Sequence, residues 1–459
     1  MPKRSLPTWV CLGLALAGCD LTEEQKLAAR RQRVETAFVD SLASSPAGTV
    51  RETLDTDPTL ANAIRMVPGR KRSYRAESAL TFALKNARMD VIAVLLEKGA
   101  DPNMPQADGA SPLSVAIGLE GGRANKVALL LENGADPERV FDHGSALHHA
   151  ASINDAAAGE LYPMLLAKAA GVGRYDATGR MPLHAAASSA NPSVIRLLVR
   201  KGADVNVRTK APGRDHGVHG ELAGATPLAI VARDRQIAGA ATLCALGADP
   251  DLADATGASA RQVAARMAAE KGKEPNPIEG DLLRHRNMAA FLAKGASCDA
   301  LLARARRGES IAEVEVLRIA NESECGAGWG WACGQAAWAY HRGEGAAKNG
   351  AKALELFRNG CETARTKNTW SCGMAGIIHV EGLSVPKDPT EGARWLAKGC
   401  ETPDPARADA QACNRLGLLY AAGSGVPKDL VRAQALFKRA CEQKHEKACA
   451  NLAKQAGGT

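Results

Sequence analysis

The C-terminal stretch Asn414-Arg415-Leu416-Gly417-Leu418-Leu419-Tyr420 runs into the turn Gly423-Ser424-Gly425-Val426-Pro427-Lys428-Asp429 and then into Ala433-Gln434-Ala435-Leu436-Phe437-Lys438-Arg439-Ala440-Cys441-Glu442. It reads as a helix, a Gly-rich turn and a second helix. The turn has two looser copies upstream, Gly382-Leu383-Ser384-Val385-Pro386-Lys387-Asp388 and Gly343-Glu344-Gly345-Ala346-Ala347-Lys348-Asn349. The second copy replaces Leu-Tyr by Ile378-His379, and the first lacks the Val-Pro. Around these turns, eight of the twelve cysteines follow residue 320 in four short pairs: Cys325 and Cys333, Cys361 and Cys372, Cys400 and Cys413, Cys441 and Cys449.

These segments resemble the Sel-one-like repeat, a relative of the tetratricopeptide repeat, in its cysteine-rich secreted form. Three copies meet the minimum for a stable stack. Two pairing schemes suit antiparallel helix pairs. Bonds within repeats (Cys333–Cys361, Cys372–Cys400, Cys413–Cys441) strand Cys325 and Cys449. Bonds across junctions (Cys325–Cys333, Cys361–Cys372, Cys400–Cys413, Cys441–Cys449) strand none. Parity favours the junction scheme, and so does the resemblance. Four reduced pairs conflict with the export signal described below, and the spacing is too wide for the CxxC knuckles of a zinc site. The five tryptophans of this half (Trp329, Trp331, Trp338, Trp370, Trp395) read mostly as core. Trp329 and Trp331, in Cys325-Gly326-Ala327-Gly328-Trp329-Gly330-Trp331, are the expected exposed anchors.

Upstream, a different phrase recurs: Ser78-Ala79-Leu80, Ser111-Pro112-Leu113, Ser145-Ala146-Leu147-His148, Met181-Pro182-Leu183-His184 and Thr226-Pro227-Leu228, with a worn copy at Ser259. Its Leu positions lie 33, 34, 36 and 45 residues apart. Four copies end in a Gly-Ala-Asp turn, at Gly99, Gly134, Gly202 and Gly247. Ser or Thr caps a first helix, Pro fits its first turn, Leu points into the stack, and Gly ends the second helix. This phrase and period resemble the ankyrin repeat. Arg51–Ala63 reads as an N-terminal capping helix and the Ser259 copy as a C-terminal cap. His148 and His184 read as structural. An insertion, Lys210–Glu221, sits where a projecting finger belongs, and a second, Lys271–Gly280, splits the last copy. Asp215, His216, His219 and Glu221 suit a polar contact loop better than a metal site, because the glycine-rich segment has no helix to fix ligand spacing. Cys244 reads as a small buried side chain on a second helix, with a bond to Cys298 as the less favoured alternative.

At the N-terminus, two charges in Met1–Arg4 precede the apolar run Val10–Ala17 and Leu16-Ala17-Gly18-Cys19. The run is too short to span a membrane and reads as a secretory signal. It resembles the lipobox of bacterial lipoproteins, which implies that Cys19 is the acylated anchor. Residues 20–46 read as a polar tether with Leu27, Val34, Phe38 and Leu42 at near-helical spacing.

The fold class expected is all-α, with two tandem α-solenoids: an ankyrin array followed by disulfide-stapled Sel-one-like repeats. The divisions are 1–18 signal peptide, 19–46 lipid-anchored tether, 47–297 ankyrin domain, 298–324 helical junction and 325–459 Sel-one-like domain. Low aromatic content (4%) and 45 glycines suit thin, locally packed layers. The net charge of +8 is spread along the chain, and its densest pieces, Arg30–Arg33 and Arg70–Arg72, read as solvated faces. Headgroup contact is the alternative for these pieces, and no nucleic-acid module accompanies them. No nucleophile elbow, zinc-protease helix, phosphate loop or dinucleotide fingerprint occurs, so a binding role is expected, without enzymatic activity, cofactor or metal. The expected protein is a monomeric, periplasm-facing envelope lipoprotein. It touches the membrane through Cys19 and holds a protein partner on the repeat tips Met104, Gln106, Asp108, Arg139, Phe141, Arg174, Tyr175, Arg208, Arg214 and His216, together with Trp329 and Trp331. The resemblance also implies immunity proteins that neutralise toxic effectors such as lipases. The rival reading is a protein that binds or hydrolyses β-lactams or peptidoglycan fragments.

Overall fold

The computed structural model describes residues 22–68, 74–106, 109–119, 122–140, 144–153, 156–189, 191–210, 223–271, 279–362, 368–383 and 385–456. Apart from one two-stranded hairpin, the described elements are helices. The chain divides into two compact units, Met1–Ala225 with Asp254–Thr256, and Thr226–Ala253 with Gly257–Thr459. The division falls inside the ankyrin array, before its fifth copy. Each unit is taken by itself.

In the first unit, α1 (Glu23–Ser41) starts at a capping box in which Thr22 and Gln25 each bond the other's backbone. It is not a loose tether along this length. Phe38, Val39 and Leu42 are buried, the Gln32 amide donates to the Ile64 carbonyl (2.5 Å), and Arg31 pairs with Asp57 (2.7 Å). The expected capping helix at Arg51–Ala63 is shorter and earlier: α2 is Ala47–Thr56, followed by a 3₁₀ turn at Pro58–Asn62. Pro58 cannot continue α2's hydrogen bonding, and Asp57 caps the new turn by accepting from Thr59 N (3.2 Å). An antiparallel hairpin, β1 (Ile64–Pro68) with β2 (Tyr74–Ser78), follows in the register Ile64↔Ser78.

Four helix pairs complete the unit: α3 (Ala79–Asn86) and α4 (Met89–Glu97), α5 (Pro112–Gly118) and α6 (Arg123–Glu132), α7 (Ala146–Ala151) and α8 (Ala156–Lys168), α9 (Pro182–Ser188) and α10 (Pro192–Arg200). Leu80, Leu113, Leu147 and Leu183 are all buried, as the phrase requires. Ser78 and Ser111 cap their helices, accepting from the N–H three residues on at 3.2 and 3.0 Å. Gly99, Gly134 and Gly202 end second helices at φ of +89°, +85° and +99°, a region a side chain enters only at a cost of about 1 kcal/mol. Successive turns are sewn together by asparagines. Asn62 donates to Gly99 O (2.9 Å) and accepts from Asp101 N (2.7 Å), and Asn103 repeats this with Gly134 O (2.9 Å) and Asp136 N (2.8 Å).

The second unit opens with the fifth ankyrin copy, α11 (Pro227–Asp234) and α12 (Ile237–Ala245), and the worn copy, α13 (Ala260–Lys271) and α14 (Glu279–Leu292). Then come α15 (Ser297–Arg306), α16 (Glu313–Gly326) and three hairpins: α17 (Gly330–Arg342) with α18 (Gly350–Glu362), α19 (Thr369–Glu381) with α20 (Pro389–Cys400), and α21 (Ala410–Ala422) with α22 (Leu430–Glu442). Helix α23 (Glu446–Ala456) follows. Disulfides Cys325–Cys333, Cys361–Cys372, Cys400–Cys413 and Cys441–Cys449 join α16 to α17, α18 to α19, α20 to α21 and α22 to α23 across the junctions. A fifth corrects the reading of Cys244 as unpaired: it is bonded to Cys298, with Cα atoms 5.4 Å apart. The cause is that α12 packs against both α15 and α16, which places a second ankyrin helix beside the junction helix.

The first and third Gly-rich turns each ride on a helix of the preceding layer. A Cβ on Gly345 would lie 2.6 Å from the Val314 carbonyl carbon, and one on Gly425 2.4 Å from that of Pro389. Helix α16 therefore occupies the place of a second helix to the first Gly-rich turn, as α20 does to the third.

Candidate interaction surfaces

The described fingers of the first unit carry cations in a row. Arg139, Arg174, Arg208 and Lys210 are exposed, whereas Glu138 beside Arg139 is largely covered and Asp176 accepts from Thr178 and Arg180 N–H within its own turn. Glu138 accepts from Gly171 N (2.6 Å) and lies 3.7 Å from the Arg174 guanidinium. The Tyr175 hydroxyl donates to the Arg208 carbonyl (3.1 Å), and Lys210 Nζ stands 4.1 Å above the Tyr175 ring. The fingers are thus cross-linked by their own hydrogen bonds, leaving guanidinium groups outward. Tyr175 spends its hydroxyl on this role and is half-buried.

Two of the other tip residues behave differently. Gln106 turns inward, donating to Thr81 Oγ1 (2.5 Å) and Ser78 Oγ (3.2 Å), and Met104 is half-buried. Asp108, Phe141, Arg214 and His216 lie outside the described residues, as do Asp215, His219, Glu221 and Cys19. Among the described residues no group of three or more His, Cys, Asp or Glu side chains is placed to hold a metal.

Beneath the fingers, His148 and His184 share one arrangement. In each, Nδ1 accepts from the backbone N–H three residues earlier (Ser145, 3.2 Å; Met181, 3.0 Å), while Nε2 faces the next finger's carbonyl (Arg180, 3.0 Å; Val207, 3.1 Å). Burial lowers the pKa of both, that of His184 to about 4. These rings hold the fingers and are not available for chemistry.

In the second unit, Trp331 is 61% exposed and lines two cavities. The larger, ≈ 970 Å³, is bordered by the Cys361–Cys372 bond, Glu362, Asn368, Lys398 and Arg407. Lys398 pairs with Glu362 (2.8 Å) and sits 4.0 Å above the Trp395 ring. Arg407 has no ion pair among the described residues. The smaller cavity, ≈ 310 Å³, lies between the α11–α12 turn and the α16–α17 turn and contains Arg284, Asn287 and Glu324. Burial raises the Glu324 pKa. Trp329 is less available than Trp331, because Arg284 stacks 4.6 Å above its ring. The sequence reading missed Arg407 and Lys398. The available signal is the Cys400–Cys413 interval, longer by several residues than those of the outer pairs, which makes room for the groove wall.

Helix pairs repeated in this way, presenting cations and an exposed indole, define a protein-interaction scaffold. The comparisons specify its parts. The ankyrin repeats model (3 copies) matches residues 125–209 and 147–254, and the Sel1 repeat model matches 332–362, 371–401 and 410–445. The chain carries ankyrin repeats followed by Sel1 repeats, both generally non-catalytic binding modules. Among solved structures, a Sel1 repeat protein from Oxalobacter formigenes is 26% identical, covering 29% of this chain and 95% of that one at TM-score 0.26. The ankyrin repeat domain of Bcl-3, a member of the IkappaB protein family, is 21% identical over 49% of this chain and 92% of its own, at TM-score 0.39. The human ASB11 ankyrin repeat domain is 22% identical over 54% and 96%, at TM-score 0.36. No curated protein matches the chain.

Proposed function

We propose that this chain is a lipid-anchored, envelope-facing scaffold whose ankyrin fingers hold a protein partner through an acidic surface. The observation that carries the reading is the row Arg139, Arg174, Arg208 and Lys210, exposed on successive fingers and held in register from below. Arginine gives planar, bidentate recognition of carboxylates, and a row of like charges steers an acidic partner toward the surface. Five disulfides suit an oxidising compartment, which agrees with export and with anchoring at Cys19. Within this reading the scaffold serves as an immunity protein or inhibitor of a toxic effector such as a lipase. The test is affinity capture from envelope extract with wild type and with the triple variant Arg139→Glu, Arg174→Glu, Arg208→Glu. Capture of the same partner at wild-type yield by the variant, or capture insensitive to salt, would exclude the fingers. An identified partner with no toxic activity would exclude the immunity role alone.

A second reading is favoured by the groove beside Trp331, whose size suits a peptidoglycan fragment or β-lactam. Muropeptide binding lost in Trp331→Ala, with the finger variant unaffected, would support it.

A further inference from the structure

Helix α1 buries one face, and among the described residues its other face is exposed. Arg31, Gln32, Glu35, Phe38, Val39 and Leu42 face β1 and the turn before it. On the opposite side Lys26, Arg30 and Arg33 form an exposed stripe at i, i+4 and i+7. Leu27 and Val34 adjoin it and are 69% and 51% exposed. Lys26 is paired with Glu23 (2.7 Å), while Arg30 and Arg33 have no ion pair among the described residues. This face therefore combines two large apolar side chains with Arg30 and Arg33, and its acids, Glu23 and Asp40, pair with Lys26 and with Arg65.

We propose that this face of α1 lies on an anionic phospholipid surface and orients the first unit on the membrane. The inference rests on the reading of Cys19 as the acylated residue, which sets the distance. Three residues, Asp20, Leu21 and Thr22, separate Cys19 from the start of α1, and the four residue steps, at about 3.3–3.6 Å each, span at most about 14 Å. The helix start is thus held within about two Debye lengths, about 8 Å each at physiological salt, of the headgroups. At that range basic residues are drawn to anionic lipid, and Leu27 and Val34 can enter the headgroup boundary as the apolar edge of an interfacial helix. A cation stripe on a short leash has one surface always within reach, and that surface is negative.

The test uses the chain from Asp20 onward, without acyl groups, sedimented with phosphatidylcholine vesicles with or without phosphatidylglycerol at millimolar lipid. Binding is expected only to the vesicles containing phosphatidylglycerol and is lost at high salt. Arg30→Gln with Arg33→Gln is expected to weaken it about 25-fold, at about fivefold per charge. Both side chains are exposed, so unchanged circular dichroism verifies the fold. No binding to anionic vesicles, or equal binding by the double variant, overturns the proposal. So does preferential binding through the same arginines to an acidic polypeptide or to RNA. Acylation is read separately, by fatty-acid labelling of the full chain and of Cys19→Ser. A full chain that takes no label, or a Cys19→Ser chain labelled like wild type, with vesicle binding intact removes the anchor and not the helix face; label on the full chain lost in Cys19→Ser, without vesicle binding, removes the helix face alone.

Discussion

His184 makes the ankyrin unit sensitive to acid, and the size of the effect follows from its surroundings. Its Nδ1 accepts from Met181 N–H and its Nε2–H donates to the Val207 carbonyl, so the ring is committed to one neutral tautomer. Protonating Nδ1 would set a second N–H against that of Met181 inside a fully buried site. Burial holds the pKa at about 4, against about 6.5 in the unfolded chain. With the folded value the lower one, the unfolded chain takes up the proton first, so stability is retained above about pH 6.5 and lost progressively toward pH 4. Linkage gives a loss of about 2 kcal/mol between pH 7 and pH 5 from this residue, and His148, lowered for the same reason, adds in the same direction. The assay is urea unfolding at stepped pH, followed by far-UV circular dichroism and by tryptophan fluorescence in parallel. Every described tryptophan lies in the second unit, so the acid-dependent part should appear in the dichroism and much less in the fluorescence. His184→Asn, which keeps an acceptor near Met181, is expected to be less stable at pH 7 yet to have a flatter pH dependence. A variant slope equal to the wild-type slope would refute the assignment.

Two further outcomes concern the second unit. Cys244→Ser with Cys298→Ser should destabilise it by about 4 kcal/mol in the chain-entropy model, against about 2.5 kcal/mol for opening the eight-residue Cys325–Cys333 interval; equal urea midpoints for the two double variants would contradict this ordering. Gly425→Ala should cost about 2–4 kcal/mol, because φ is +72° and the added methyl meets the Pro389 backbone; a thermal midpoint within a degree of wild type would show that the turn does not ride on α20.

The repeats were legible because stacking demands the same contact at every level: a Leu that must be buried recurs at a fixed interval, and a Gly that must turn left follows it. The cysteines at hairpin junctions were legible for the same reason, being tied to the repeat. Features that depend on distant chain were not. Trp329 and Trp331 stand two residues apart among glycines, and only the arrival of Arg284 covers the first and leaves the second bare. Gln106 has the sequence position of a tip, but two hydroxyls at the start of α3, those of Ser78 and Thr81, draw it inward. The tether reading of residues 20–46 failed at α1 because its burying partner, β1, belongs to a hairpin the repeat phrase does not contain. Asn62 and Asn103 were overlooked although the Pro-Asn pair after Gly99-Ala100-Asp101 marks the second of them.

The Cys244–Cys298 bond encloses the whole of α13 and α14 within a covalent ring of chain. A peptide bond cut anywhere inside that ring leaves both fragments attached to one another. A protease that nicks the insertion between these helices therefore yields one band on a non-reducing gel and two after reduction, and the cleaved molecule keeps both kinds of repeat together.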